Sequence, residues 1–126
     1  MSTLVVSNIN DGTTTIPATY VTNGSAKAWG KVSFGGGGTP SLGSNSINIS
    51  SVSDDSTGQY TLSFSSAFDS NDYAWVSTCH EDRVGLMAQA DNATYTASAV
   101  KAMAQDSRDA TLMDWGSSNV CHGDLA

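Results

Sequence analysis

The strongest constraint on the fold of this chain is a β-hairpin pattern between residues 46 and 64. Apolar side chains alternate there with polar ones on both sides of a polar centre, so each predicted strand has one apolar and one hydrophilic face. The apolar positions are Ile47, Ile49, Tyr60, Leu62 and Phe64. The centre, Asp54–Gly58, contains side chains that bond their own backbone and a glycine that can take a positive φ. The pattern predicts two antiparallel strands joined by a turn over Asp54–Gly58.

The rest of the chain has the composition of further strands. Ser and Thr make up roughly a quarter of the 126 residues, and Glu81 is the only glutamate. Ser, Thr, Asp, Asn and Gly favour turns and caps over helix interiors. We expect strands at Ala26–Phe34, Tyr73–Cys79, Val84–Ala90, Ala97–Met103, Ala110–Trp115 and Asn119–His122. A helix is a competing prediction only around Ala97, because Ala and Met have good helix propensity. We still predict a strand there, because the segment has the length of a strand.

These strands predict an all-β fold, either an antiparallel β-sandwich or a small barrel of jelly-roll-like type. We expect residues 1–12 to form an N-terminal arm and residues 13–126 to form a single β-domain. Gly35–Ser46 is predicted to be a flexible loop, because it contains few apolar residues. Thr3–Ile9 is the most apolar run outside the predicted core, and we expect it to pair with a neighbouring subunit or with the structure that carries the protein.

The charge of the chain argues against nucleic acid as a partner. The formal net charge is -7, and the five basic residues are scattered rather than clustered. No apolar run approaches the length of a membrane span, and the N-terminus has no basic cap or cleavage site typical of an export signal. We therefore expect no insertion into a membrane.

Two Cys-His pairs are the main candidates for a metal site. Cys79-His80 and Cys121-His122 together contain the ligand types of a zinc site. Neighbouring residues of a strand point to opposite faces, so each cysteine and its histidine cannot easily share one ion. We predict free buried thiols and no metal, and we leave a disulfide between Cys79 and Cys121 open as an alternative.

No residue pattern predicts an enzyme. Asp54-Asp55 and Glu81-Asp82 are the two adjacent carboxylate pairs that could serve acid–base chemistry, and both lie in predicted tight turns, where acidic side chains bond the local backbone. The chain has no Gly-x-Ser-x-Gly elbow and no phosphate-binding loop. We predict no catalytic, cofactor-binding or metal-binding residues and no cofactor.

The tryptophans are the candidates for a stacking surface that binds sugars. Aromatic residues of this kind more often form core or subunit-interface packing, and we predict that Trp29 and Trp75 lie inside. Trp115 stands next to Gly116 in a predicted turn and is the best candidate for an exposed aromatic ring.

Two segments resemble bacteriophage tail-fibre and related small virion proteins. Val21–Phe34, which contains Asn-Gly-Ser-Ala-Lys-Ala-Trp, is similar to a strand of that family, and the hairpin follows it in the same order and spacing. More loosely, Asp72–Val76 and Ser98–Lys101 are similar to later strands of the family. The resemblance implies a structural β-domain of a virion, a homotrimeric knob in a tail fibre or spike that contacts other virion proteins and a host-surface glycan. A capsid decoration or cement protein and a carbohydrate-binding module remain alternatives.

Overall fold

The computed structural model describes residues 3–80, 85–89 and 95–126, which form ten strands and one helix. The elements are β1 (Asn8–Asn10), β2 (Thr15–Pro17), α1 (Ala18–Gly24), β3 (Ala28–Phe34), β4 (Pro40–Leu42), β5 (Ile49–Ser56), β6 (Gln59–Phe64), β7 (Ala74–Cys79), β8 (Gly85–Gln89), β9 (Ala99–Asp106) and β10 (Ser117–His122). Within these ranges no helix is long and apolar enough to cross a membrane.

Eight of these strands form two open antiparallel sheets. One sheet has the order β4-β3-β10-β7 and the other has the order β5-β6-β9-β8. Side chains from both sheets meet in one apolar core, so the fold is an all-β sandwich and not a small barrel. The core contains Ala28, Val32, Ile49, Tyr60, Leu62, Phe64, Phe68, Tyr73, Val100, Ala102 and Cys121.

The predicted hairpin is confirmed, with a tighter turn than the sequence indicated. Strands β5 and β6 pair as far as Ser56 and Gln59, so only Thr57 and Gly58 form the connection. Gly58 takes a φ of +69°, a value that glycine adopts without strain. The two carboxylates predicted to lie in the turn, Asp54 and Asp55, are part of β5, where the register shifts after Asp54.

Three local predictions were wrong. The segment predicted as a loop contains β4, which pairs with the edge of β3 and buries Pro40. The predicted strand Ala110–Trp115 is replaced by an irregular segment with one bridge from Leu112, because Ala110 takes a left-handed φ of 58°. Helix α1 occupies residues 18–24 and overlaps Thr13–Thr19, a stretch that the sequence indicates to be extended around Pro17. The strand predicted at Val84–Ala90 is present as β8, and its two terminal residues lie outside the described residues.

The N-terminal part of the chain packs little against the sandwich. Strands β1 and β2 form a hairpin around Gly12, whose φ is +98°, and α1 follows directly. None of residues 3–26 is buried. Lys27, just before β3, ties this part to the sandwich by donating from its backbone N–H to the carbonyl oxygen of Cys121 at 2.9 Å. We call residues 3–24 the N-terminal segment.

Candidate functional site

The outer face of the β4-β3-β10-β7 sheet carries a row of exposed apolar side chains. In β10, Val120 lies directly opposite Trp29 of β3 on one side and Val76 of β7 on the other. The backbone of Trp29 also forms an antiparallel β-bridge with that of Ile47, so Ile47 continues the row beyond β3. Cross-strand partners share a face of a sheet, so the four side chains lie side by side across the strands. We call Ile47, Trp29, Val120 and Val76 the apolar row.

Much of the apolar row is open to solvent. Trp29 exposes 37% of its surface, Val76 exposes 59% and Ile47 exposes 51%. Neighbouring strands are about 4.8 Å apart, so the row runs for roughly 14 Å across the sheet. A contiguous apolar patch of this kind on a sheet face is typical of a binding surface.

Polar and basic side chains flank the apolar row. Lys31, Ser118 and Thr78 form the neighbouring cross-strand set on one side. His80 extends that side with a 2.7 Å hydrogen bond between its Nε2 and Ser118 Oγ. On the other side, His122 donates from Nδ1 to the carbonyl oxygen of Gly24 at 3.1 Å, which places the end of α1 beside the row.

The predicted positions of two tryptophans were wrong. Trp29 lies on the outer face because its neighbours Ala28 and Gly30 point inward, where bulky side chains do not fit. A Cβ built on Gly30 would lie 2.9 Å from Ile49 Cδ1. Trp115 exposes only 7% of its surface and packs close to Gly85 of β8. Trp75 is half-buried and packs against the core, which agrees with the prediction.

A buried polar network joins the two sheets behind the apolar row. The hydroxyl groups of Tyr60 and Ser117 are hydrogen-bonded to each other, and Asn119 Nδ2 donates to Ser117 Oγ at 2.9 Å. Trp75 Nε1 donates to Asn119 Oδ1 at 3.1 Å. Burial raises the pKa of Tyr60, so its hydroxyl group stays protonated. The network is closed to solvent and satisfies its own polar atoms, so its role is to hold the sheets in register.

The two cysteines lie too far apart along the sheet for a disulfide between them. Cys79 is opposite Ser117, whereas Cys121 is opposite Trp75. Four residues of a strand separate these positions, about 13 Å, and disulfide-bonded residues have Cα atoms within about 7 Å. Burial raises the pKa of the Cys121 thiol to about 12, so it is not a reactive nucleophile.

The residues considered for metal or acid–base chemistry are not brought together. Cys121 points into the core while His122 lies on the outer face. In the part of the chain that the structure describes, no three His, Cys, Asp or Glu side chains form a group that could hold a metal ion. Asp55 accepts a hydrogen bond from Thr61 at 2.7 Å and lies 3.6 Å from Lys101, as expected for a strand-surface carboxylate. Glu81-Asp82 lies outside the described residues.

Two depressions among the described residues are small and polar. One, of about 130 Å³, is lined by the carboxylates Asp69, Asp72 and Asp124. The other, of about 180 Å³, lies at the end of the outer face and is lined by Lys31, His80 and Asp114 among others. Pockets that hold drug-sized ligands are about 300–1,000 Å³, so the apolar row is a stronger candidate than either depression.

The sequence pattern contained the signal for the apolar row. Trp29 alternates with Gly30 and shares its face with Lys31 and Ser33, which is the hydrophilic face of that strand. The pairing of Trp29 with Val76 through Val120 depends on the sheet order, which the sequence does not specify.

Scans of protein-family models, curated proteins and solved structures found no match to this chain.

Proposed function

We propose that this protein is a structural component of a bacteriophage virion, a tail-fibre-like β-knob that assembles as a homotrimer. One observation carries the proposal: a β-sandwich with its own core is preceded by a segment that buries none of its residues. Leu4 and Val5 in that segment expose 84% and 88% of their surface. A body with a separate apolar segment suits a protein that is held on a larger assembly.

The similarity of Val21–Phe34 and the hairpin to virion proteins supports the same proposal. The first of these regions forms the end of α1 and strand β3, and the second forms β5 and β6, so the similarity covers strands of both sheets. A capsid decoration protein would use the same division into body and attachment segment. Fibre and decoration protein differ in their location on the particle.

The test is to locate the protein on intact particles. Antibodies against the recombinant chain are applied to purified phage particles that carry its gene, and the label is found by electron microscopy. We expect label at the tail. Label spread over the head surface would identify a decoration protein instead, and particles without label or protein would refute the virion proposal.

The attachment role of the N-terminal segment is tested with a matched pair of variants. Leu4→Ser with Val5→Ser removes the exposed apolar side chains, whereas Thr13→Ala changes an exposed residue of the same segment. We expect the double variant to fold but to occupy particles less than the wild-type protein, and Thr13→Ala to occupy them normally. Equal occupancy by both variants would rule out a role of the segment in assembly on the particle, whether through direct attachment or through contacts between subunits.

A further inference from the structure

We infer that the apolar row is covered in the assembled protein by the N-terminal segment of a neighbouring copy of this chain. The inference rests on the proposed homotrimer and names the two surfaces that join its subunits. One surface is the row Ile47–Trp29–Val120–Val76. The other consists of the exposed apolar side chains Leu4, Val5, Val6, Ile9, Tyr20 and Val21.

The chemistry of the row favours a protein partner over a glycan. Three of its four side chains are aliphatic and offer no hydrogen bonds, and the single aromatic ring lies between them. A sugar-binding strip needs polar groups beside aromatic faces, but His80 and His122 next to the row already bond to Ser118 and Gly24. An apolar centre with a tryptophan and a polar rim is the composition of a protein interface.

The charges of the two surfaces favour a second copy as that partner. The outward residues of β3, β7 and β10 include Lys31 and His122 and no carboxylate. The N-terminal segment contains no Lys or Arg, and Asp11 is its only charged residue. The chain as a whole carries a net charge of -7, so a face with a lysine and no outward carboxylate repels a second copy less than a face that carries carboxylates.

Both surfaces consist of apolar side chains. Together they contain ten on each chain, of which nine are exposed and Val120 is half-buried. A stable interface has an apolar core of this kind within a polar rim. Because the segment and the row are different surfaces, each subunit gives its segment to the next, and three such contacts close a ring.

Cysteine cross-linking tests the contact directly. Chains with Leu4→Cys are mixed with differently tagged chains that carry Val76→Cys, then oxidised. We expect a disulfide-linked pair that contains one chain of each kind. Ser63→Cys, on the outer face of the other sheet, is the matched control and should not link to Leu4→Cys. Mixtures of each variant with the wild-type chain measure the background of disulfide cross-links that involve the native Cys79 and Cys121.

Sedimentation equilibrium measures the energetic role of the row. Val76→Lys places a charge inside the row, and Thr78→Lys places the same charge on the same strand face, in the neighbouring cross-strand set. We expect the dissociation constant of the oligomer to rise at least tenfold for Val76→Lys and to change little for Thr78→Lys. Circular dichroism confirms that both variants fold.

Two results would overturn this inference. One is an unchanged dissociation constant for Val76→Lys together with no cross-link. The other is a wild-type protein that stays monomeric at high micromolar concentration. If added host polysaccharide then changes the tryptophan fluorescence of the wild-type protein but not of Trp29→Phe, the row belongs to a glycan. In either case, label on virions would leave the virion proposal standing.

Discussion

Gly58 provides the sharpest test of how the hairpin turn is held. Its φ is +69°, and a Cβ added there would lie 2.6 Å from the backbone nitrogen of Met113 and 2.9 Å from the carbonyl oxygen of Ala104. Gly58 also donates its N–H to Asp114 Oδ1 at 2.6 Å and accepts from the Ala104 N–H at 2.8 Å. The turn is therefore clamped between β9 and the irregular segment that follows it.

The expected effect of Gly58→Ala combines three contributions. A left-handed conformation costs a residue with a Cβ about 1–2 kcal/mol. Close contact with backbone atoms, which cannot rotate away, adds about 1–3 kcal/mol. The lower entropy of the unfolded chain with alanine returns about 0.4–1 kcal/mol. We expect the free energy of unfolding to fall by about 1–5 kcal/mol.

Urea unfolding followed by tryptophan fluorescence measures this change, because all three tryptophans belong to the sandwich. Gly36→Ala is the control, since a Cβ there meets no atom within 4 Å and Gly36 has no positive φ. Gly58→Asn separates the two causes, because Asn tolerates the left-handed conformation but still carries a Cβ. If Gly58→Ala loses no more stability than Gly36→Ala, the argument from the clamped turn is wrong. If Gly58→Asn is as stable as wild type, strain alone accounts for the effect.

Three further predictions concern the core and the N-terminal segment. Tyr60→Phe removes a buried hydroxyl group that bonds Ser117, and we expect a loss of about 1–2 kcal/mol in urea unfolding; no loss would show that the network adds no stability. Burial raises the pKa of Cys121 from 9.0 to about 12, so the folded state keeps a proton that the unfolded chain loses in this range. The contribution of this group to stability is complete below pH 9 and is lost as the pH rises toward 12, by up to about 1.4 kcal/mol per pH unit. In urea unfolding under reducing conditions, the free energy of unfolding of Cys121→Ala should therefore decline less steeply with pH than that of the wild-type protein. Identical slopes for the two proteins would contradict the prediction. Deletion of residues 2–24 should leave the sandwich folded with an unchanged urea midpoint, because none of the described residues removed is buried, and a lowered midpoint would show that the segment stabilises the sandwich.

The sequence predicted those parts of the fold in which local pattern and packing agree. Alternation in β6 correctly assigned Tyr60, Leu62 and Phe64 to the core, because two faces of one strand differ sharply in polarity. The strand preference around Ala97 was also correct, since β9 covers Ala99–Asp106 and its alternate residues are buried. In each case the period of two is visible without knowledge of neighbouring strands.

Other features depend on contacts between distant segments. Trp115 is buried by its position against β8, and no local pattern indicates that contact. Pro40 is buried because β4 pairs with the edge of β3, although the segment itself contains few apolar residues. The row around Trp29 likewise depends on sheet order, because Val120 and Val76 are each far from it in the sequence.

The position of β10 has a consequence for the order of events during synthesis. Strand β10 lies between β3 and β7, which the ribosome completes much earlier. Until Ser117–His122 emerges from the ribosome, each of those two strands has an edge without its partner, so the β4-β3-β10-β7 order cannot be completed. Pairing between such distant segments is slow, and exposed strand edges invite aggregation. A nascent chain that stalls or terminates before β10 is therefore a substrate for chaperones and proteases, even though β3 and β7 have already been made.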